Sequence, residues 1–152
     1  MKALLLYLVI ALPQLSYSPT ERYSEKNDRD KLVKTATKFL NTNYKATGND
    51  PDGFDCSGFT QYVYSEALGV KLEHGSKLQA KNGKNVKYKK AKKGDLIFFH
   101  RTNRINHVGI ITKISDDEIW VIHATSSKGV ILEDINKSSY WKTKFAFIRS
   151  YL

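Results

Sequence analysis

The segment FDCSGF, residues 54–59, holds the only cysteine of a 152-residue chain. It reads as the entrance to a helix. Asp55 is a good N-cap, Phe59, Val63, Ala67 and Leu68 fall on one face of the run Cys56–Leu68, and Gly69 is a good stop. Amide donors and the helix dipole at such an N-terminus lower the pKa of a thiol, and a thiol attacks well only as thiolate. Ser57 and Gly58 are small, which leaves the sulfur accessible and lets backbone amides approach a developing oxyanion. A lone cysteine can also be core filler, a leftover or a lipid anchor. The rest of the chain has to choose.

Upstream of this helix, Leu32, Val33, Ala36, Phe39 and Leu40 recur at helical spacing, with Asp28 or Asp30 as the cap. Asn41–Gly53 is rich in turn formers and reads as a loop. Downstream, Gly75–Gly83 reads as a short helical turn capped by Ser76. The stretch Lys81–Lys93 holds seven lysines and reads as a solvated face. After Lys93 the pattern becomes β. GDLIFFH (94–100) has strand length, and HVGIITKI (107–114) and EIWVIHA (118–124), separated by Ser115-Asp116-Asp117, form a hairpin. GVILED (129–134) and KFAFIRSYL (144–152) supply two more strands. Helices first and strands later, joined by hairpin-length turns, predict an α+β domain with an antiparallel sheet.

The first residues look like an export signal. Met1-Lys2 precedes the uncharged run ALLLYLVIAL (3–12), then Pro13 and a small-x-small pattern at Ser16-Tyr17-Ser18. The run is too short to span a bilayer as a stable helix. The expected organisation is a signal peptide at 1–18, a loose polar arm at 19–29 and one domain over 30–152. Lys and Arg number 25 against 15 acids, a net charge of +10. In an exported protein that excess fits anionic cell-envelope polymers, and nucleic acid is not the expected partner. No cysteine closely follows the apolar run, so no lipid anchor or stable membrane anchor is expected. One cysteine cannot form an intramolecular disulfide; an unpaired thiol outside the cell points to intermolecular pairing or reactivity. A monomer is expected.

A cysteine nucleophile needs a base, normally histidine, and a third group to fix that ring. Of four histidines, His74 and His100 lie beside loop-like stretches and read as surface residues. His107 opens the first strand of the hairpin and His123 lies near the end of the second. His107 is nine residues before Asp116 and His123 seven after it, so the two fall nearly opposite and can touch on one edge of the sheet. Base and orienting residue are thus placed together. A metal site is the rival use of Cys and His, but the chain lacks a close ligand pair such as C-x-x-C or H-E-x-x-H.

GFDCSGFTQYVY (53–64), KKGDLIFFH (92–100), INHVGI (105–110) and VIHATSSKGV (121–130), in that order, resemble the NlpC/P60 family of cell-wall cysteine peptidases. The resemblance runs from about Asp30 to the C-terminus. It implies a papain-like fold, with the cysteine helix packed on a C-terminal antiparallel sheet. It further implies Cys56 as nucleophile, His107 as general base and His123 as the residue that orients the base. Tyr44 corresponds to a tyrosine near the oxyanion and substrate site. Asp55 and Ser57 correspond to positions that, in some members, contact the free amine of the stem peptide. Ser76 corresponds to a serine lining the groove. The implied substrate is the peptidoglycan stem peptide, usually cut between γ-D-glutamate and a diamino acid, with no metal or organic cofactor. Two stretches depart from the family pattern. Tyr44-Lys45-Ala46-Thr47-Gly48 lacks the usual Gly-Gly pair, and Leu72-Glu73-His74-Gly75-Ser76 replaces the usual LPRTS.

Overall fold

The computed structural model describes residues 19–152. The signal peptide expected at 1–18 lies outside the described residues. Among those described, no helix is long and apolar enough to cross a membrane.

The cysteine helix forms residue for residue as the sequence predicts. It is α2, Cys56–Leu68, with Asp55 as N-cap in an extended conformation and Gly69 as a left-handed C-cap. The Asp55 carboxylate accepts the Gly58 amide at 2.7 Å, which satisfies one donor orphaned at the helix start. The Gly69 amide returns to the carbonyl of Ser65. Phe59, Val63, Tyr64 and Ala67 are buried along one face. These side chains form one core layer with Leu96, Phe98, Val108, Ile110, Ile122, Ala124 and Val130 of the sheet.

A six-stranded antiparallel sheet carries the fold. Its strands are β3 (Lys84–Val86), β4 (Leu96–Arg101), β5 (Arg104–Ile114), β6 (Ile119–Thr125), β7 (Gly129–Asp134) and β8 (Phe145–Ser150), in the spatial order β3-β8-β4-β5-β6-β7. All five strands expected after Lys93 are present, and Ser115–Asp117 makes the β5–β6 turn. Side-chain alternation divides the sheet into two faces. One face meets α2. The other carries Phe99, Ile111, Val121 and Ile148, packed with Phe145 and Trp141. The loop before the cysteine helix contains a two-stranded ribbon, β1 (Asn49–Asp50) with β2 (Gly53–Phe54). Gly58 lets this loop press onto α2: a Cβ there would stand 2.0 Å from the Gly48 carbonyl oxygen.

Three readings need correction. The first concerns the N-terminal arm, which is helical: α1 runs Pro19–Thr37, so neither Asp28 nor Asp30 starts it, and Phe39 and Leu40 lie past its end. A polar stretch folds here because Arg29 anchors it at long range. Arg29 is only 5 % exposed; its guanidinium donates to Asp95 Oδ1 (2.8 Å), the Lys93 carbonyl (2.8 Å), Ser150 Oγ (3.2 Å) and Glu25 (2.9 Å).

Second, Ser76 is not a cap. It is the first residue of α3 (Ser76–Gln79), whose N-cap position is Gly75 and makes no side-chain bond. What holds α3 is Gln79, fully buried. Its amide donates to the carbonyls of Ser57 (3.0 Å) and Glu73 (2.7 Å), and its oxygen accepts from Thr60 Oγ1 (2.8 Å). Third, the lysine-rich segment is not merely a solvated face. Lys84–Val86 adds β3 to the sheet beside β8, while Lys92 pairs with Glu25 and Lys93 with Asp30 of α1. Lysines on an edge strand also discourage edge-to-edge association.

Candidate active site

Cys56 is the first residue of α2, and its end of the helix meets the start of β5. The sulfur lies 4.0 Å from the Asn106 carbonyl oxygen, the geometry of an S–H donor. Amides of Val108, Ser57 and Cys56 itself act on the sulfur and pull its pKa down. Burial and the adjacent Asp55 charge outweigh them and push the thiol up to about 11. The lowered thiol pKa expected from the helix start is therefore not found. The helix amides are present, but a desolvated sulfur beside a carboxylate is harder to ionise than one in water.

His107 and His123 do meet, as the hairpin spacing predicts. His107 Nε2 and His123 Nδ1 are 2.9 Å apart. The contact lies in the sheet interior and not at an edge, because β5 and β6 are flanked by β4 and β7. Gly109 leaves room for it: a Cβ there would stand 3.0 Å from His123 Cβ and 2.5 Å from Val121 Cγ1. His123 is fully buried and His107 nearly so. Burial first, and the neighbouring His123 second, hold His107 well below the ordinary imidazole value. With its Nε2 committed to His123, His107 has only Nδ1 left for another partner. Burial thus works against charge on both the thiol and the imidazole.

Cys56, His107 and Tyr44 line a cavity of about 470 Å³. Its wall also carries Arg101, Lys128 and Lys144, against one carboxylate, Glu133. Tyr44 is 38 % exposed, and burial, then the charges of Cys56 and Asp55, raise its pKa, so its hydroxyl stays protonated as a donor. His123 stands behind the wall. Asp55, Ser57 and Ser76 are not on it. Ser57 is buried and donates to Asp55 Oδ1 at 2.9 Å. Its small size, like that of Gly58, serves packing and not access to the sulfur. Asp55 Oδ2 is engaged by His74 Nε2 at 2.9 Å, so His74 is a partner of the helix cap and not a free surface residue. His100 is half-buried at the end of β4. Among the described residues, no three His, Cys, Asp or Glu side chains gather as metal ligands.

Two site residues escape the sequence reading. Trp141 lies in α4 (Ser139–Lys142) and stacks on His107 at 4.5 Å with 23° between the ring planes. The one signal for it is the cap at Ser138, which accepts the Trp141 amide at 3.3 Å. Glu133 on β7 accepts the Trp141 indole N–H at 3.2 Å and stands 3.4 Å from His123 Nε2.

A thiol at a helix start and a paired histidine on one cavity wall, on an α+β scaffold, are the parts a thiol hydrolase needs. The chain belongs to the NlpC/P60 family, whose model matches residues 41–150. It is 35 % identical over 117 residues to the gamma-DL-glutamyl hydrolase of Bacillus subtilis, covering 76 % of this chain and 27 % of that one. It is 34 % identical over 109 residues to the murein DD-endopeptidase MepS/murein LD-carboxypeptidase of Escherichia coli, covering 72 % and 55 %. The chain thus spans about half or less of these relatives' length. Among solved structures, the NlpC/p60 domain of the peptidoglycan hydrolase SagA matches with a TM-score of 0.68 and 30 % identity, over 80 % of this chain and 97 % of that one. A Bacillus cereus NlpC/P60 family protein gives a TM-score of 0.71 and 33 % identity, over 82 % and 40 %.

Proposed function

We propose that the chain is an exported peptidoglycan endopeptidase that cuts stem peptides at the γ-D-glutamyl–diamino acid bond, with Cys56 as nucleophile. The observation that carries this reading is the presence of Cys56 and the His123-bound His107 on the wall of one cavity. The names of the B. subtilis and E. coli relatives support the substrate class. Arg101, Lys128 and Lys144 suit a peptide that carries free carboxylates.

The chemistry starts from a neutral thiol and a neutral imidazole, the forms that burial favours. Substrate seats with its carbonyl carbon against the sulfur. The thiol proton passes to His107 Nδ1 as sulfur attacks, so the imidazolium forms during the step and not before it. The Cys56 amide and the Tyr44 hydroxyl meet the developing oxyanion. His107 then protonates the leaving amine, and water releases the acyl group by the reverse relay. Asp55 and Ser57 bear on an amine-bearing substrate only through the cap that His74 occupies.

The test is the mass of fragments released from purified peptidoglycan. Stem peptides cut to a dipeptide on the sugar are expected. Intact peptides freed from the sugar would mean an amidase, and loss of cross-links with intact stems a DD-endopeptidase; either replaces this reading.

Arg22, Lys84, Lys87 and Lys90 line a cleft of about 650 Å³ whose two acids, Glu25 and Asp95, are already paired with Arg29 and Lys92. We assign retention on envelope polyanions to this cleft. Reversing Lys84, Lys87 and Lys90 to glutamate is expected to release the protein from walls at low salt, while hydrolysis of soluble muropeptide is kept. Equal retention overturns the assignment.

A further inference from the structure

We propose that Glu133 is a positioning residue that sets the direction of the histidine relay, making His107 a proton acceptor toward Cys56. The inference rests on the nucleophile–base reading above, but its central observable does not depend on turnover.

By strand alternation and register, His107, Val121, His123 and Glu133 all stand on the sheet face away from α2. His107 Nε2 and His123 Nδ1 share one proton along their 2.9 Å contact, so one ring donates and the other accepts. The two directions have opposite consequences. If His123 Nδ1 donates, neutral His107 carries its own proton on Nδ1 and cannot take one from a thiol. His123 Nε2 would then be a bare lone pair. That atom is buried without a hydrogen bond, and the nearest charge is Glu133 Oε2 at 3.4 Å. A lone pair facing a carboxylate in a dry interior is repelled.

The opposite direction removes the conflict. His123 carries its proton on Nε2, facing the carboxylate; its Nδ1 accepts from His107 Nε2–H; and His107 Nδ1 is left with a free lone pair. The Glu133 contact is off-line for a strong hydrogen bond and acts as an electrostatic lock. When His107 takes the thiol proton at Nδ1, its positive charge spreads over both nitrogens. The Nε2–H bond to His123 then strengthens, and the Glu133 charge favours the ion.

Trp141 ties the carboxylate to the ring it serves. Its indole N–H donates to the same Oε2 (3.2 Å), while its face lies on His107 (4.5 Å). Glu133 cannot swing toward solvent without losing this bond, and His107 cannot turn out of its plane without leaving the stack or flip without losing His123. Nitrogen protonation is thus fixed by residues other than the nucleophile and the base.

The test uses two variants. Glu133→Leu removes both charge and acceptor; Glu133→Gln keeps an oxygen for Trp141 and His123 but removes the charge. Histidine ¹⁵N spectra of the wild type are expected to show His123 as the Nε2–H tautomer, and Glu133→Leu to lose that preference. In muropeptide cleavage, kcat is expected to fall roughly tenfold in Glu133→Gln and about a hundredfold in Glu133→Leu, with KM held. An Nδ1–H tautomer of His123 in the wild type overturns the proposal, as does an unchanged kcat in both folded variants. Should Glu133→Leu fail to fold, the wild-type spectrum and Glu133→Gln decide alone. Should the chain cleave without Cys56, the nucleophile reading fails, yet the tautomer result stands.

Discussion

Cys56→Ala is expected to abolish cleavage of purified muropeptides, a loss of roughly 10⁵-fold or more, because the proposed mechanism forms the acyl intermediate on its sulfur. The fold should survive. Residue 56 is the first residue of α2, half-buried, and alanine is a good helix former, so stability should stay within about 1 kcal/mol. Thermal unfolding beside a cleavage assay checks both halves; retained activity would remove Cys56 from the reaction. A neutral resting pair would carry a pH signature. With the thiol pushed up to about 11, alkylation of the free enzyme should be slow in mild acid and accelerate toward alkaline pH, as thiolate accumulates. Full labelling in mild acid would instead mean a preformed thiolate–imidazolium pair.

Arg29→Ala is expected to cost about 3–5 kcal/mol, a large share of the roughly 5–15 kcal/mol that holds a domain of this size together. It would leave Asp95, 1 % exposed, with only the Lys92 amide (2.9 Å) on its other oxygen. The Ser150 hydroxyl and the Lys93 carbonyl lose a donor as well. Arg29→Ala with Asp95→Ala should recover part of the loss, since the stranded charge is then gone. Urea unfolding measures each variant; a single-variant loss below about 1 kcal/mol would show the pair to be ornamental. Activity of the folded fraction should be unchanged, because Arg29 is not on the cavity wall.

The cysteine helix and its caps were legible because they depend on local signals: an aspartate before the run, one apolar face, a glycine after it. The five later strands were legible as short apolar runs between turn residues, and the hairpin arithmetic brought His107 to His123. What the sequence hid is long-range or chemical. Nothing in a polar stretch announces that Arg29 will be buried against Asp95, so α1 begins far earlier than its apolar pattern. Glu133 and Trp141 look like ordinary strand and loop residues until the sheet closes around His123. The thiol's raised pKa was illegible for a different reason. Sequence shows the helix start that lowers it but not the desolvation that raises it.

The place of β8 carries one more consequence. It comes after every other strand in the chain, yet lies between β3 and β4. During synthesis β4 therefore waits with an unpaired edge, and β3 has no neighbour at all, until residues 145–150 have been made. α4, which brings Trp141 to the histidines, is completed just before them. Until then the cavity around Cys56 lacks the wall that α4 supplies. On the proposed mechanism, the relay would be complete only once β8 and α4 are in place, so a partly made copy would not yet cleave.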